Sequence, residues 1–161
     1  VAGMRTLKAL LIVALTMMPA FAHGQTTASK CMWLGQTIAG LTAVEVRKYL
    51  ERHQITDVMI CRYPGSFALL HIAAGNSEDP DVIDVLIASG ADPFAEDHRG
   101  RTPIYMAVDN NNITAIKRLF LYGASHLHVG HKGQSALTYC QEALKYYPTN
   151  KPCIAMLNLN E

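Results

Sequence analysis

The sequence predicts an all-α solenoid of about four helix-turn-helix repeats, and three observations carry that reading. First, FALLHIAAG (Phe67–Gly75), TPIYMAVDN (Thr102–Asn110) and SALTYCQEA (Ser135–Ala143) can be laid under one another, with Leu70, Ile104 and Leu137 separated by 34 and then 33 residues. Second, VIDVLIASGADP (Val82–Pro93) and TAIKRLFLYGAS (Thr114–Ser125) align on Gly90 and Gly123, again 33 apart. Third, these downstream segments carry apolar residues at helical spacing: Val82, Ile83, Leu86 and Ile87, then Ile113, Ile116, Leu119 and Phe120. A fixed period near 33 residues marks stacked units, because one helix pair cannot bury its apolar face alone.

The N-terminal stretch stands outside this pattern. Arg5 and Lys8 precede ALLIVALTMMPAFA (Ala9–Ala22), a short apolar run with an A-x-A exit at Ala20-Phe21-Ala22. That is the layout of a secretory signal peptide, expected over residues 1–22; a span needs roughly 20 apolar residues, so an uncleaved anchor is the alternative. Residues 23–161 are then expected to form one repeat domain, with no stable membrane span once the signal is cleaved. Cys31, Cys61, Cys140 and Cys153 all lie in that part. An even count in an exported chain points to disulfides, and no CxxC pair suggests thioredoxin-like chemistry or a zinc knuckle. Formal net charge is +1, with acids and bases interspersed, so the basic stripe that nucleic-acid binding demands is missing.

Within the domain each unit is expected to hold two helices. The first unit, about residues 31–64, shows one clear helix in LTAVEVRKYLERH (Leu41–His53), where Val44, Val46, Tyr49 and Leu50 make an imperfect apolar face. The second, about 65–99, opens with a helix rich in small residues at Ala73-Ala74, and the Gly90-Ala91 pair ends its second helix as a left-handed C-cap does. An extra residue around Asn76–Pro80 lengthens its inner turn. In the third, about 100–132, Thr102-Pro103 follows a turn at Gly100 and reads as a helix start: Thr is a favoured N-cap, and Pro loses nothing in a first turn. The fourth, about 133–161, starts at Gly133 and carries KYYPTNKP (Lys145–Pro152) between its helices.

These residues resemble the ankyrin repeat family. The family pattern G-x-T-P-L-H-x-A-A is met almost in full by Gly100–Val108, and its L-H-x-A-A core stands unaltered at Leu70-His71-Ile72-Ala73-Ala74. The G-A-D ending is intact at Gly90-Ala91-Asp92 and weakened at Gly123-Ala124-Ser125, and the likeness covers Gly65 to about Leu144. The resemblance implies hairpin loops between units, atypical first and last units acting as caps, and a structural role for His71 in turn hydrogen bonding. It also implies a pairing Cys31–Cys61 and Cys140–Cys153, one of three open to four cysteines, with Cys140 ending the inner helix of the last unit and Cys153 beginning its outer one. The bridges would then tie down the two caps.

What the resemblance implies for function is a surface that binds another protein, without enzymatic activity or cofactor. The expected partner-binding residues are Phe94, His98 and Arg99 on one hairpin tip, and His126, His128 and His131 on the next. Tyr105, Met106, Asp109 and Tyr139 on the inner helices complete the set. For Tyr105 and Met106, packing between repeats is the competing role. The expected setting is periplasmic or secreted, acting as a scaffold or as an inhibitor or immunity protein of a toxin or enzyme; an effector secreted into a host is a further possibility. The alternative is a periplasmic metal-binding or stress-response protein that uses the loop histidines with Glu96 or Asp97. GQSAL (Gly133–Leu137) superficially matches a nucleophile elbow, yet its fifth position is Leu and its place in the repeat explains it as a helix start.

Overall fold

The computed structural model describes residues 26–130, 133 and 135–158. The expected signal peptide over 1–22 therefore lies outside the described residues.

Four helix pairs follow in order. They are α1 (Thr27–Thr37) with α2 (Ala43–Arg52), α3 (Leu69–Asn76) with α4 (Asp81–Ala88), α5 (Pro103–Asp109) with α6 (Ile113–Leu121), and α7 (Ala136–Tyr146) with α8 (Lys151–Asn158). Inner helices α1, α3, α5 and α7 stack on one another, and outer helices α2, α4, α6 and α8 form the second layer. The core runs continuously between the layers through Leu34, Leu70, Ile83, Leu86, Ile104, Ile116, Leu119 and Met156, all with essentially no exposure. A two-by-two-residue antiparallel ladder, β1 (Arg62–Tyr63) with β2 (Phe67–Ala68), is the strand content of the described residues.

Local chemistry sets the helix starts. Thr42 and Glu45 form a reciprocal capping box at α2, with the Glu45 carboxylate 2.8 Å from the Thr42 amide. At α6 the Asn112 side chain accepts from the Ala115 amide at 3.1 Å, while its NH2 donates to the Ser77 carbonyl at 3.0 Å. One side chain thus caps a helix and joins it to the preceding unit. Thr102 stands at the N-cap of α5 with Pro103 as first helical residue, as the sequence suggests, but its hydroxyl makes no cap bond. At α3 the cap is supplied by His71. Its Nδ1 accepts from the Ala68 amide at 3.2 Å, so Nε2 carries the proton and donates to the Arg101 carbonyl at 2.9 Å.

The turn around Asn76–Pro80 has a use. Asp79 accepts from its own helix at the Asp81 amide (3.0 Å) and from the Ala43 amide at the start of α2 (2.8 Å). The lengthened turn therefore docks the second unit on the first. Outer helices end alike: Gly90 and Gly123 take φ of +94° and +78°, and Ala91 and Ala124 donate to Leu86 and Leu119 at 2.9 and 3.1 Å. The first unit keeps this ending with Gln54 at φ +55° and an Ile55-to-Leu50 bond of 2.9 Å, although no glycine announces it.

Both disulfides, Cys31–Cys61 and Cys140–Cys153, are formed, each with a Cα separation of 5.2 Å. The first ties α1 to the segment leaving α2, and the second joins α7 to α8. The first unit has the two helices expected of every unit, the less evident one marked by a buried stripe of Cys31, Leu34 and Ile38 that the intervening Trp33 and Gly35 disguise. Two sequence readings need correction here. Cys140 sits mid-helix rather than at a helix end, since α7 runs on to Tyr146. The link to α8 is then only residues 147–150, shorter than Lys145–Pro152.

Candidate partner-binding surface

The loops leaving α2, α4 and α6 make the same tight turn. Asp57, Asp92 and Ser125 accept from the amide two residues on, at Met59 (2.8 Å), Phe94 (2.8 Å) and Leu127 (3.0 Å). An acceptor two residues before its donor is the side-chain-closed turn favoured by Asp and Ser. Its consequence is a large apolar side chain at every tip. Met59 is 45% exposed, Phe94 43% and Leu127 56%.

The tips are locked to one another. His98 donates from its backbone amide and from ring Nδ1 to the Gly65 carbonyl, at 2.9 and 2.7 Å, and the Val58 amide donates to the Ser89 carbonyl at 3.0 Å. Between the next two loops, His128 Nε2 lies 2.9 Å from Glu96 Oε1. Gly130 approaches so closely that an added Cβ would meet the Gly100 carbonyl oxygen at 1.8 Å, so only glycine fits. Beneath the second tip, Asp97 is buried and accepts from the Arg99 and Arg101 amides and from Arg101 Nε, all at 2.8–2.9 Å. Burial alone would raise its carboxyl pKa, but these bonds and the Arg101 charge outweigh it and hold the group below the usual carboxylate range.

A second line of side chains crosses the inner helices. The Arg101 guanidinium lies between the Phe67 and Tyr105 rings, 5.5 and 5.6 Å from their centroids. Tyr105 packs on Tyr139 at 5.2 Å. Burial pushes the Tyr105 and Tyr139 phenols up, reinforced in both by the Asp109 charge.

The residues expected to bind a partner therefore separate. Phe94, His98, Arg99 and Asp109 are exposed, while Met106, His128 and Tyr139 are half-buried. Tyr105 is 8% exposed and serves the packing between repeats that competed with a surface role. His126 is also buried, against the Phe120 ring at 5.7 Å, and burial lowers its pKa. His131 lies outside the described residues. Met59 and Leu127 were missed, though Asp57-x-Met59 and Ser125-x-Leu127 repeat the spacing of Asp92-x-Phe94. Among the described residues no three His, Cys, Asp or Glu side chains converge as a metal site. None of the described helices is long and apolar enough to cross a membrane.

A family model described as ankyrin repeats, in three copies, matches residues 70–156. A search of curated proteins finds no match.

Proposed function

The chain belongs to the ankyrin repeat family, a scaffold for protein–protein interaction, and from that premise we propose that it is an exported, non-enzymatic module that binds another protein through its hairpin tips and the exposed edge of its inner helices. The observation that carries this reading is the locked row of tips, each closed by the same turn and each offering an exposed apolar side chain. A surface held rigid before binding loses little conformational entropy on association, which is how a small module reaches useful affinity. Its action is steric: it occupies a face of the partner, as an inhibitor or immunity protein of a toxin or enzyme does. The basic residues and apolar run of residues 5–22 and the two disulfides support export to the periplasm or beyond, where such bridges persist.

The test is a pull-down from envelope and secreted fractions with the oxidised chain from His23 as bait. One stoichiometric partner is expected, lost when Met59, Phe94 and Arg99 are replaced together by alanine. A partner retained by that variant would move the site elsewhere. No partner in any fraction would count against the module itself. Fractionation of cells producing the full chain tests export separately.

A further inference from the structure

The chain carries one Asn-x-Ser/Thr tripeptide with x other than proline, Asn112-Ile113-Thr114. In an exported chain that pattern is an acceptor for N-linked glycosylation, and it belongs on a surface loop. Here it lies at the start of α6, against the preceding unit, and the fold engages it throughout. The Asn112 NH2 donates to the Ser77 carbonyl at 3.0 Å, and Ser77 is itself buried. The Asn112 side-chain oxygen accepts from the Ala115 amide at 3.1 Å and from the Thr114 hydroxyl at 2.9 Å. The Asn112 backbone is held as well, donating to the Ala107 carbonyl at 2.8 Å and accepting from the Ile116 amide at 3.1 Å. Ile113 and Thr114 are the first two residues of α6.

Glycosyl transfer needs these same atoms free. Asn112 Nδ2 would form a bond to C1 of the oligosaccharide and give up one proton. The bond from C1 to the pyrophosphate of the lipid carrier would break, and that pyrophosphate would leave. The transferase must hold both the carboxamide and the hydroxyl two residues on in its own site. In the folded chain the carboxamide is spent on three hydrogen bonds, one of them across the boundary between units, and the Thr114 hydroxyl is turned onto it. A sugar on Nδ2 would stand in the seam between the second and third units. We infer that Asn112 is a glycosylation site of the unfolded chain alone, and that its modification and the docking of the third unit on the second exclude each other. In a secretory compartment that holds such a transferase, the order of folding and transfer then decides the product. A chain that folds first stays bare, and a chain modified first loses the Asn112 link between its units. The inference concerns the handling of the chain during export and stands apart from which partner it binds.

The experiment offers a purified oligosaccharyltransferase and a dolichol-linked oligosaccharide to the full chain in two states, read by mass spectrometry. One state is the oxidised protein; the other is the reduced, carboxymethylated chain, with its helical circular dichroism lost. The unfolded chain should gain one oligosaccharide at Asn112. The oxidised protein should react at least about 100-fold more slowly, because transfer must wait for the open population. Thr114→Ala should abolish transfer to the unfolded chain while keeping the Asn112 bonds to Ser77 and Ala115, so its melting should stay close to that of the wild type. Chain translated into microsomes meets the transferase before it folds. Its glycosylated fraction, released from the vesicles, should be digested by trypsin about 10-fold faster than the bare fraction, because its open population is larger. Equal rates of transfer to the oxidised and unfolded chains, no transfer to either, transfer surviving Thr114→Ala, or equal protease resistance of the two fractions would each overturn the inference.

Discussion

The Cys140–Cys153 bridge sets a test of how this solenoid holds its end. Each unit contacts only its neighbours, so the last unit is supported from one side, by α5 and α6. Its own contribution to the core is small: Pro152, Cys153 and Met156 on α8, with Ala136 and Cys140 on α7. A bridge closing a chain segment with a sequence separation of 13 removes loop entropy worth about 3 kcal/mol from the open state. The 30-residue separation of Cys31–Cys61 gives about 3.7 kcal/mol by the same relation. Replacing Cys140 and Cys153 together by alanine should therefore raise the opening equilibrium of α7 and α8 by about 150-fold, since ~1.4 kcal/mol is tenfold. The assay is native-state amide hydrogen exchange, resolved by segment. Protection should fall over 136–158 and persist in α3 to α6, and chemical reduction of the wild type should reproduce the pattern at both ends. The reasoning fails if protection over 136–158 is unchanged, or if all eight helices lose it together.

Other perturbations bear on individual contacts. Burial lowers the pKa of His71 and, by the same cause, that of His126. The unfolded chain therefore takes up protons first, so stability is complete above pH ~6.5 and declines as pH falls below it. Denaturant titrations at pH 7.5 and 5.5 should show the loss, and His71→Asn should flatten it from a lower baseline. Gly130→Ala forces the third loop off the Gly100 carbonyl, which should cost about 1–3 kcal/mol in a denaturant midpoint and weaken the His128–Glu96 pair. Asn112→Ala should cost about 1–2 kcal/mol by the same measurement, because it removes a cap and a bond to Ser77. Thr102→Val should change little, since the Thr102 hydroxyl caps nothing.

The stacking pattern was legible because it is written in local, repeated signals. Leu70, Ile104 and Leu137 mark equivalent inner positions, and glycine at 90 and 123 marks the helix ends where φ must be positive. Where the first unit meets the same need with Gln54, the signal vanishes though the geometry remains. The pairing of the cysteines followed from placing the chain on a repeat layout, not from the spacing of the cysteines themselves. The expected partner-binding residues were legible only as candidates. Phe94, His98 and Arg99 stand exposed near a loop tip, whereas Tyr105 takes the competing role of packing between repeats and His126 is buried. An aromatic or imidazole ring near a loop reads alike whether it faces water or the next repeat. Only the neighbours decide, here Tyr139 and Arg101 for one and Phe120 for the other.

By itself, then, the sequence determined the repeat, its period, the helix starts with side-chain or proline signals, and an even set of four cysteines that the structure closes into two disulfides. Those properties depend on residues close in the chain, or on periodicity that one strand of text carries. Tertiary structure alone decided which side chains are surface and which are mortar between units. It also decided that Asp79 and Asn112 each serve two units. These facts arise from contacts across roughly one repeat length, where burial and hydrogen-bond geometry depend on how neighbouring units stack and on nothing within a single unit.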